Sequence, residues 1–218
     1  MSDLCYREGA KPATRKGILS AEADVNTPSI HSIPGTDQDR AVATLTLAFN
    51  TDPIVRWVSP DQGQYESLFP RIARLFGGRA FDHSTAYGTD DLAAVALWLP
   101  PGIDPDSDAM GALLEKELPE PDQERVFELL GQMDAYHPHE PVWYLPLTGV
   151  APARQGLGYG SALLSHALQQ CDQQRLPAYL EATSERSRDL YQRFDFEPLG
   201  VISVPGSPSM WPMLRKPR

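Results

Sequence analysis

The stretch that most constrains this chain runs from Val142 to Gly160, V-W-Y-L-P-L-T-G-V-A-P-A-R-Q-G-L-G-Y-G. An apolar run ends at Val150, a short polar link follows, and glycines at 156, 158 and 160 lead into a helical pattern. A strand that opens through glycines into a helix start makes a place for an anion. The first turn of a helix has N–H groups with no partner inside the helix, and the helix dipole sets partial positive charge on them. Glycine lets a bulky phosphate approach the bare backbone. The segment therefore reads as a pyrophosphate cradle.

Two common cradles do not fit it. A P-loop needs Gly-Lys-Ser/Thr after its glycines, whereas Ser161 and Ala162 follow Gly160. A dinucleotide-binding unit wants G-x-G-x-x-G straight after a strand, with an acid about 20 residues further on. Glu181 supplies that acid, but Ser161 stands where the third glycine belongs. The link 151–155 also parts strand from glycines, and too little chain follows Glu181 for a usual dinucleotide-binding sheet.

An acyl-CoA cradle fits better. Val150-Ala-Pro152-Ala-Arg154-Gln155-Gly156-Leu157-Gly158-Tyr159-Gly160-Ser161, followed by Leu163-Leu164, resembles motif A of the GNAT superfamily of acyl-CoA-dependent acetyltransferases. That motif reads Q/R-x-x-G-x-G/A at a helix start, and Gln155, Gly158 and Gly160 fill its defining positions. Tyr179-Leu-Glu181-Ala-Thr and Leu190-Tyr191-Gln-Arg-Phe-Asp-Phe196-Glu resemble the family's next strand and helix. Within the superfamily, the order of features resembles the puromycin N-acetyltransferase group. It includes Ala94-Val-Ala-Leu-Trp98, His137-Pro-His-Glu-Pro141-Val-Trp143 and the ending Met213-Leu-Arg-Lys216-Pro. The likeness spans about residues 29–217.

The resemblance implies an α/β (α+β) fold: a mixed, mostly antiparallel sheet flanked by helices and splayed between two central strands. It implies acetyl-CoA as cofactor, its pantetheine arm in the splay and bonded to backbone near Val150. Backbone N–H groups from Gln155 to Ser161 would hold the pyrophosphate, with Arg154 either adding charge or simply solvated. Tyr191 matches the family's general acid. The chain departs from the pattern twice. Ser187 stands where an Asn often touches the arm, and Asp195 replaces a glycine that needs a left-handed backbone, which Asp tolerates better than most residues.

The proton acceptor is less determined. Glu181 ends a strand, and alternation along that strand does not say which face it takes. Glu140, His137 and His139 precede the central strand, and bulk water is a further alternative. His137 and His139 lack a third ligand at suitable spacing, so no metal site is expected. Trp98 and Trp143 offer either an aromatic wall for the acceptor or core. Cys171, on a helix with Leu164 and Leu168, reads as a packed thiol.

Composition narrows the partners. The chain has 218 residues and net charge −10, which argues against nucleic acid and anionic membranes. Residues 104–140 carry eleven Asp/Glu against two Lys/Arg. Glu140 and its acidic neighbours thus suit a cationic small-molecule amine, or else form solvated helix faces. The longest apolar run is too short for a membrane helix. Two cysteines, Cys5 and Cys171, make no disulfide framework. No export signal is apparent, so a cytoplasmic location is expected. A homodimer is left open.

A flexible tail is expected over 1–28 and one acetyltransferase domain over 29–218. Patterning predicts strands at 30–33, 80–87, 92–99, 142–150, Ala178–Ala182, 198–204 and 210–214. It predicts helices from Asp37 to the Asn50–Pro53 break and at 64–76, 106–118, 122–136, 158–174 and 185–194. The function these features imply is acetyl transfer to the amine of a small molecule by direct attack. Two alternatives differ in kind: a CoA-binding sensor without turnover, and a protein N-acetyltransferase.

Overall fold

In a computed structural model, residues 28–218 are described. The expected tail, apart from Pro28, and Cys5 lie outside the described residues. Among the described residues, seven strands form one sheet in the order β1-β2-β3-β4-β5-β7-β6. These are β1 (His31–Ser32), β2 (Ala86–Gly88), β3 (Ala94–Leu99), β4 (Trp143–Val150), β5 (Ala178–Ala182), β6 (Glu197–Pro198) and β7 (Trp211–Arg215). Every neighbouring pair is antiparallel except β4 and β5.

The parallel pair is also the short one. Trp143 pairs with Ala178 and Tyr144 with Tyr179, and there the pairing stops, although β4 runs on to Val150 and β5 to Ala182. A local cause sits in β4. Leu97 pairs with Leu147 but Leu99 pairs with Tyr144, so β4 carries one extra residue between them. Such a bulge bends its strand and increases its twist. Pro146 lies inside the bulge and brings no backbone donor. The two central strands therefore part beyond Tyr144 and Tyr179, which is the splay of a GNAT-like α/β fold.

Helices cover both faces. On one face lie α1 (Gln38–Phe49), α2 (Pro53–Val58) and α3 (Gln62–Gly77), with Leu45, Tyr65, Phe69 and Ala73 packed on Leu97, Tyr144, Leu147 and Tyr179. Gly149 permits α1 to lie directly on β4: a Cβ there would meet the Ala48 Cβ at 2.8 Å. On the other face α6 (Tyr159–Gln174) sets Leu163, Leu164, Ala167 and Cys171 against Trp98, Trp143, Leu145, Ala178 and Leu180. Helices α4 (Ser107–Glu117) and α5 (Glu120–Tyr136) hold most of the acidic stretch, and α7 (Glu185–Gln192) follows β5.

Two expected strands shrink, and one helix is not foreseen. The strand predicted at 80–87 is a 3-10 turn and a loop, with strand only from Ala86, because Ser84 adopts φ +57 and reverses the chain. The break at 50–53 opens a helix: the Asp52 carboxylate accepts from the Ile54 and Val55 N–H groups, and Pro53 takes the first helical position, where no N–H is needed. The strand predicted at 198–204 shrinks to Glu197–Pro198 plus one bridge, Ile202 to Met210. Asp195 takes the left-handed conformation the sequence suggested, φ +65, and its carboxylate accepts from Arg218.

Candidate active site

The segment after β4 has the properties of an anion cradle. Gly156 and Gly158 have φ +79 and +85, and open space lies where a Cβ would stand. The first bond of α6 runs from the Ala162 N–H to the Gly158 carbonyl at 3.0 Å. Among the described residues, none of the backbone N–H groups from Gly156 to Ser161 has an acceptor. Six donors thus stand unpaired at the positive end of a helix. Leu157 is 59% exposed, and Tyr159 and Ser161 are half-buried. These groups fit a pyrophosphate.

Side chains tie the cradle to its surroundings. Gln155 Nε2 donates to the Val150 carbonyl and Arg186 Nη1 donates to Gln155 Oε1, both at 3.1 Å. Arg154 pairs with Asp91 at 3.6 Å, with its guanidinium 6.0 Å from the Tyr159 ring centre. A Cβ on Gly160 would lie 3.4 Å from Leu190 Cδ2 and 4.0 Å from Val150 Cγ2. The end of β4, the first turn of α6 and α7 therefore meet at the splay.

Tyr191 comes from α7 and is buried, with its ring 5.9 Å from that of Phe196. Burial pushes its phenol well above the usual range, and the Asp52 carboxylate adds to this. Ser187 is otherwise engaged: its hydroxyl donates to the Ser184 carbonyl at 2.9 Å and accepts from the Ser184 N–H at 3.1 Å, as the start of α7 requires. Its hydroxyl thus caps α7 at the position where the family's Asn often stands.

Alternation, which the sequence left undecided, is resolved on β5. Ala178, Leu180 and Ala182 face α6, whereas Tyr179 faces α1 and α3, and Glu181 takes Tyr179's side. Tyr144 Oη donates to Glu181 Oε2 at 2.9 Å. Burial pushes the Glu181 carboxyl up to about 7, against the phenols of Tyr144 and Tyr179 beside it. The His137 ring stands edge-on to Tyr144 and Tyr179, with centres 4.9 Å apart in each case, and burial lowers its pKa. Further along the same strip the Thr183 hydroxyl donates to Asp52 Oδ2. Burial raises the Asp52 carboxyl despite the donors around it.

The structure does not bring every expected residue here. Trp98 and Trp143 are 0% and 3% exposed beneath α6, on the face away from Glu181, so they build core and not an acceptor wall. Glu140 and His139 are exposed before the closed end of β4. Cys171 is buried with its thiol pushed up to about 12 by burial, which leaves it inert. Asp52, Tyr144 and Tyr179 are the residues that sequence reasoning missed. The Asp52-Pro53 pair could have flagged a helix start; nothing local flags the tyrosines.

The model of the Acetyltransferase (GNAT) family matches residues 93–196. An uncharacterized N-acetyltransferase of Schizosaccharomyces pombe is 26% identical over 183 residues, 75% of this chain and 72% of that protein. The crystal structure of a histone acetyltransferase HPA2 and related acetyltransferase from Corynebacterium glutamicum superposes with TM-score 0.62 and 26% identity, covering 88% of this chain and 97% of that one. Arylalkylamine N-acetyltransferase 2 from Aedes aegypti shares the fold at TM-score 0.66 and 14% identity, covering 88% and 100%. These matches support a GNAT-superfamily acetyltransferase.

Proposed function

We propose that this chain is an acetyl-CoA-dependent N-acetyltransferase that moves an acetyl group to the amine of a small molecule by direct attack. The observation that carries the reading is the parting of β4 from β5 beyond Tyr144 and Tyr179, with unpaired N–H groups from Gly156 to Ser161 at its mouth. Acetyl-CoA, when bound, supplies an activated thioester. Gly156 to Ser161 hold its pyrophosphate through backbone, and the unpaired edge of β4 near Val150 offers hydrogen bonds to the arm.

The chemistry needs a neutral amine and a proton for the departing thiolate. Glu181 takes the proton from the acceptor ammonium. A carboxyl that titrates near neutrality suits that task better than an ordinary one, which would be too weak a base. Tyr191 keeps its proton on Oη across the working pH range and donates it to the thiolate. Arylalkylamine and related acetyltransferases of the same fold support a small amine as acceptor, and the feature order places puromycin-like aminonucleosides on the test panel.

Calorimetry with acetyl-CoA and, separately, with NADH tests the cofactor. Micromolar binding of the first alone is expected. Thiol release across a panel of amines, puromycin among them, then tests turnover. Tight acetyl-CoA binding with no thiol release from any amine would favour a sensor over an enzyme.

A further inference from the structure

Beneath Glu181 lies a polar group with nothing to do. Tyr179 is 0% exposed, and among the described residues its hydroxyl has no partner in full hydrogen-bond geometry. A buried hydroxyl left unpaired has lost its water and gained nothing in return, so its presence calls for a state that satisfies it. The neighbours define that state. Tyr144 and Tyr179 are the last register pair before the splay, with ring centres 5.7 Å apart. The edge of the His137 ring holds the two phenols side by side. Glu181, two residues beyond Tyr179, rises on the same face. Tyr144 already donates to Glu181 Oε2, and Tyr179 Oη lies beside the same carboxylate, short of full hydrogen-bond geometry.

Among the described residues, the two phenols are the side-chain donors beside the carboxylate. Toward Glu181 and its two phenols, β4 presents Tyr144, β5 presents Tyr179, and the end of α5 presents Tyr136 and His137. His137 in turn feels Asp104, Asp134 and His139. The corner before α2 presents Asp52 through Thr183. From α3 comes the uncharged Phe76 ring against Tyr144, and from β7 comes Pro212 opposite Glu181. None of these is a Lys or Arg. An ionised carboxylate has room for about four hydrogen bonds.

We propose that Tyr179 is a positioning residue for Glu181: when the carboxylate ionises, the Tyr179 hydroxyl donates to it, and Tyr144 and Tyr179 together clamp it facing the splay. The role of the clamp in acetyl transfer rests on Glu181 being the base. A donor to the charged form favours that form, so losing either phenol makes the carboxyl harder to ionise.

The test is the titration of Glu181 in the free protein, followed by NMR on chains labelled with 13C at the glutamate carboxyl carbon and assigned through Glu181→Gln. Tyr179→Phe is expected to raise the midpoint by about one pH unit, a tenfold change in the ionisation constant. Tyr144→Phe, which removes the donor already in place, calibrates the size of the effect. The melting temperature of Tyr179→Phe relative to the parent should fall at pH 9, where Glu181 is ionised, and not at pH 5. An unmoved midpoint, or the same change in melting temperature at both pH values, overturns the proposal. Failure of the acetyltransferase reading looks different: the parent protein releases no thiol with any amine while the shifted titration remains.

Discussion

The two sides of the splay are built on opposite plans. The proposed cradle is one continuous piece of chain, Gln155 to Ser161, and it offers backbone N–H groups at a helix start. The other side, to which the proposed function assigns the acceptor, is built from the side chains of Asp52, His137, Tyr144, Tyr179, Glu181 and Thr183, drawn from the α1–α2 corner, the end of α5, β4 and β5. A backbone site depends on φ and on empty space and hardly on side-chain identity. A side-chain site tolerates backbone drift poorly and depends on individual atoms. The first should resist conservative substitution but yield to any β-carbon at Gly156 or Gly158; the second should do the reverse.

Glu181→Gln is the sharpest test of this division. It should lower kcat/KM for the amine by about a hundredfold or more, the usual scale for a positioned base, while the acetyl-CoA Kd stays put. Equal loss of both would erase the distinction between the sides. Tyr191→Phe should cost roughly tenfold or more in thiol release; turnover unchanged at every pH would remove Tyr191 from the chemistry. Gly158→Val attacks the cradle. A β-branched residue at φ +85 is strained by about 1–2 kcal/mol, enough to weaken acetyl-CoA by about tenfold in calorimetry. Leu157→Ser, one position away, should change acetyl-CoA binding by less than about 0.5 kcal/mol, because its side chain reaches solvent.

A fifth effect concerns pH and belongs to the side-chain half alone. The folded Glu181 carboxyl titrates at about 7 against 4.5 for an ordinary glutamate. Between those values the folded chain holds a proton that the unfolded chain has released. Stability from this group is therefore fully present below about 4.5 and is lost as pH rises through 7, on the order of 3 kcal/mol in all. Glu181→Gln should flatten the fall in melting temperature between pH 5 and pH 9. With Glu181 in the proposed role of base, activity should run the other way, rising through the same midpoint.

The same contrast explains what could be read from residues alone. The cradle, β5 and the two acidic helices announce themselves through local signals: alternating glycines, an apolar run bounded by Pro177 and Thr183, and helix-period apolar positions cut by Pro119 and Pro121. The bulge that parts β4 from β5 depends on pairing with β3, which no local pattern reports. Asp52 and Thr183 meet across 131 positions of chain, and Tyr144 reaches Glu181 across 37. Glu181 was visible as an acid at a strand end, but its environment, and so its basicity, exists only once α1, α3 and α5 have closed over it. Trp98 and Trp143, which the sequence left open between acceptor wall and core, show the converse. Aromatic residues near a motif suggest a ligand wall, yet strand alternation turned both under α6.

Those buried indoles also make the molecule its own optical instrument. Trp98 and Trp143 sit in dry core, the latter with Nε1 bonded to Gln174 at 2.9 Å. Trp57 and Trp211 are half-exposed, each beneath an arginine. The dry pair emits at short wavelength and changes only when the core opens. The half-exposed pair, on α2 and at the start of β7, emits further to the red and answers to quenchers in solution. A quencher series should therefore split the native spectrum into two colours, one recording the integrity of the core and the other the movements of the chain around it.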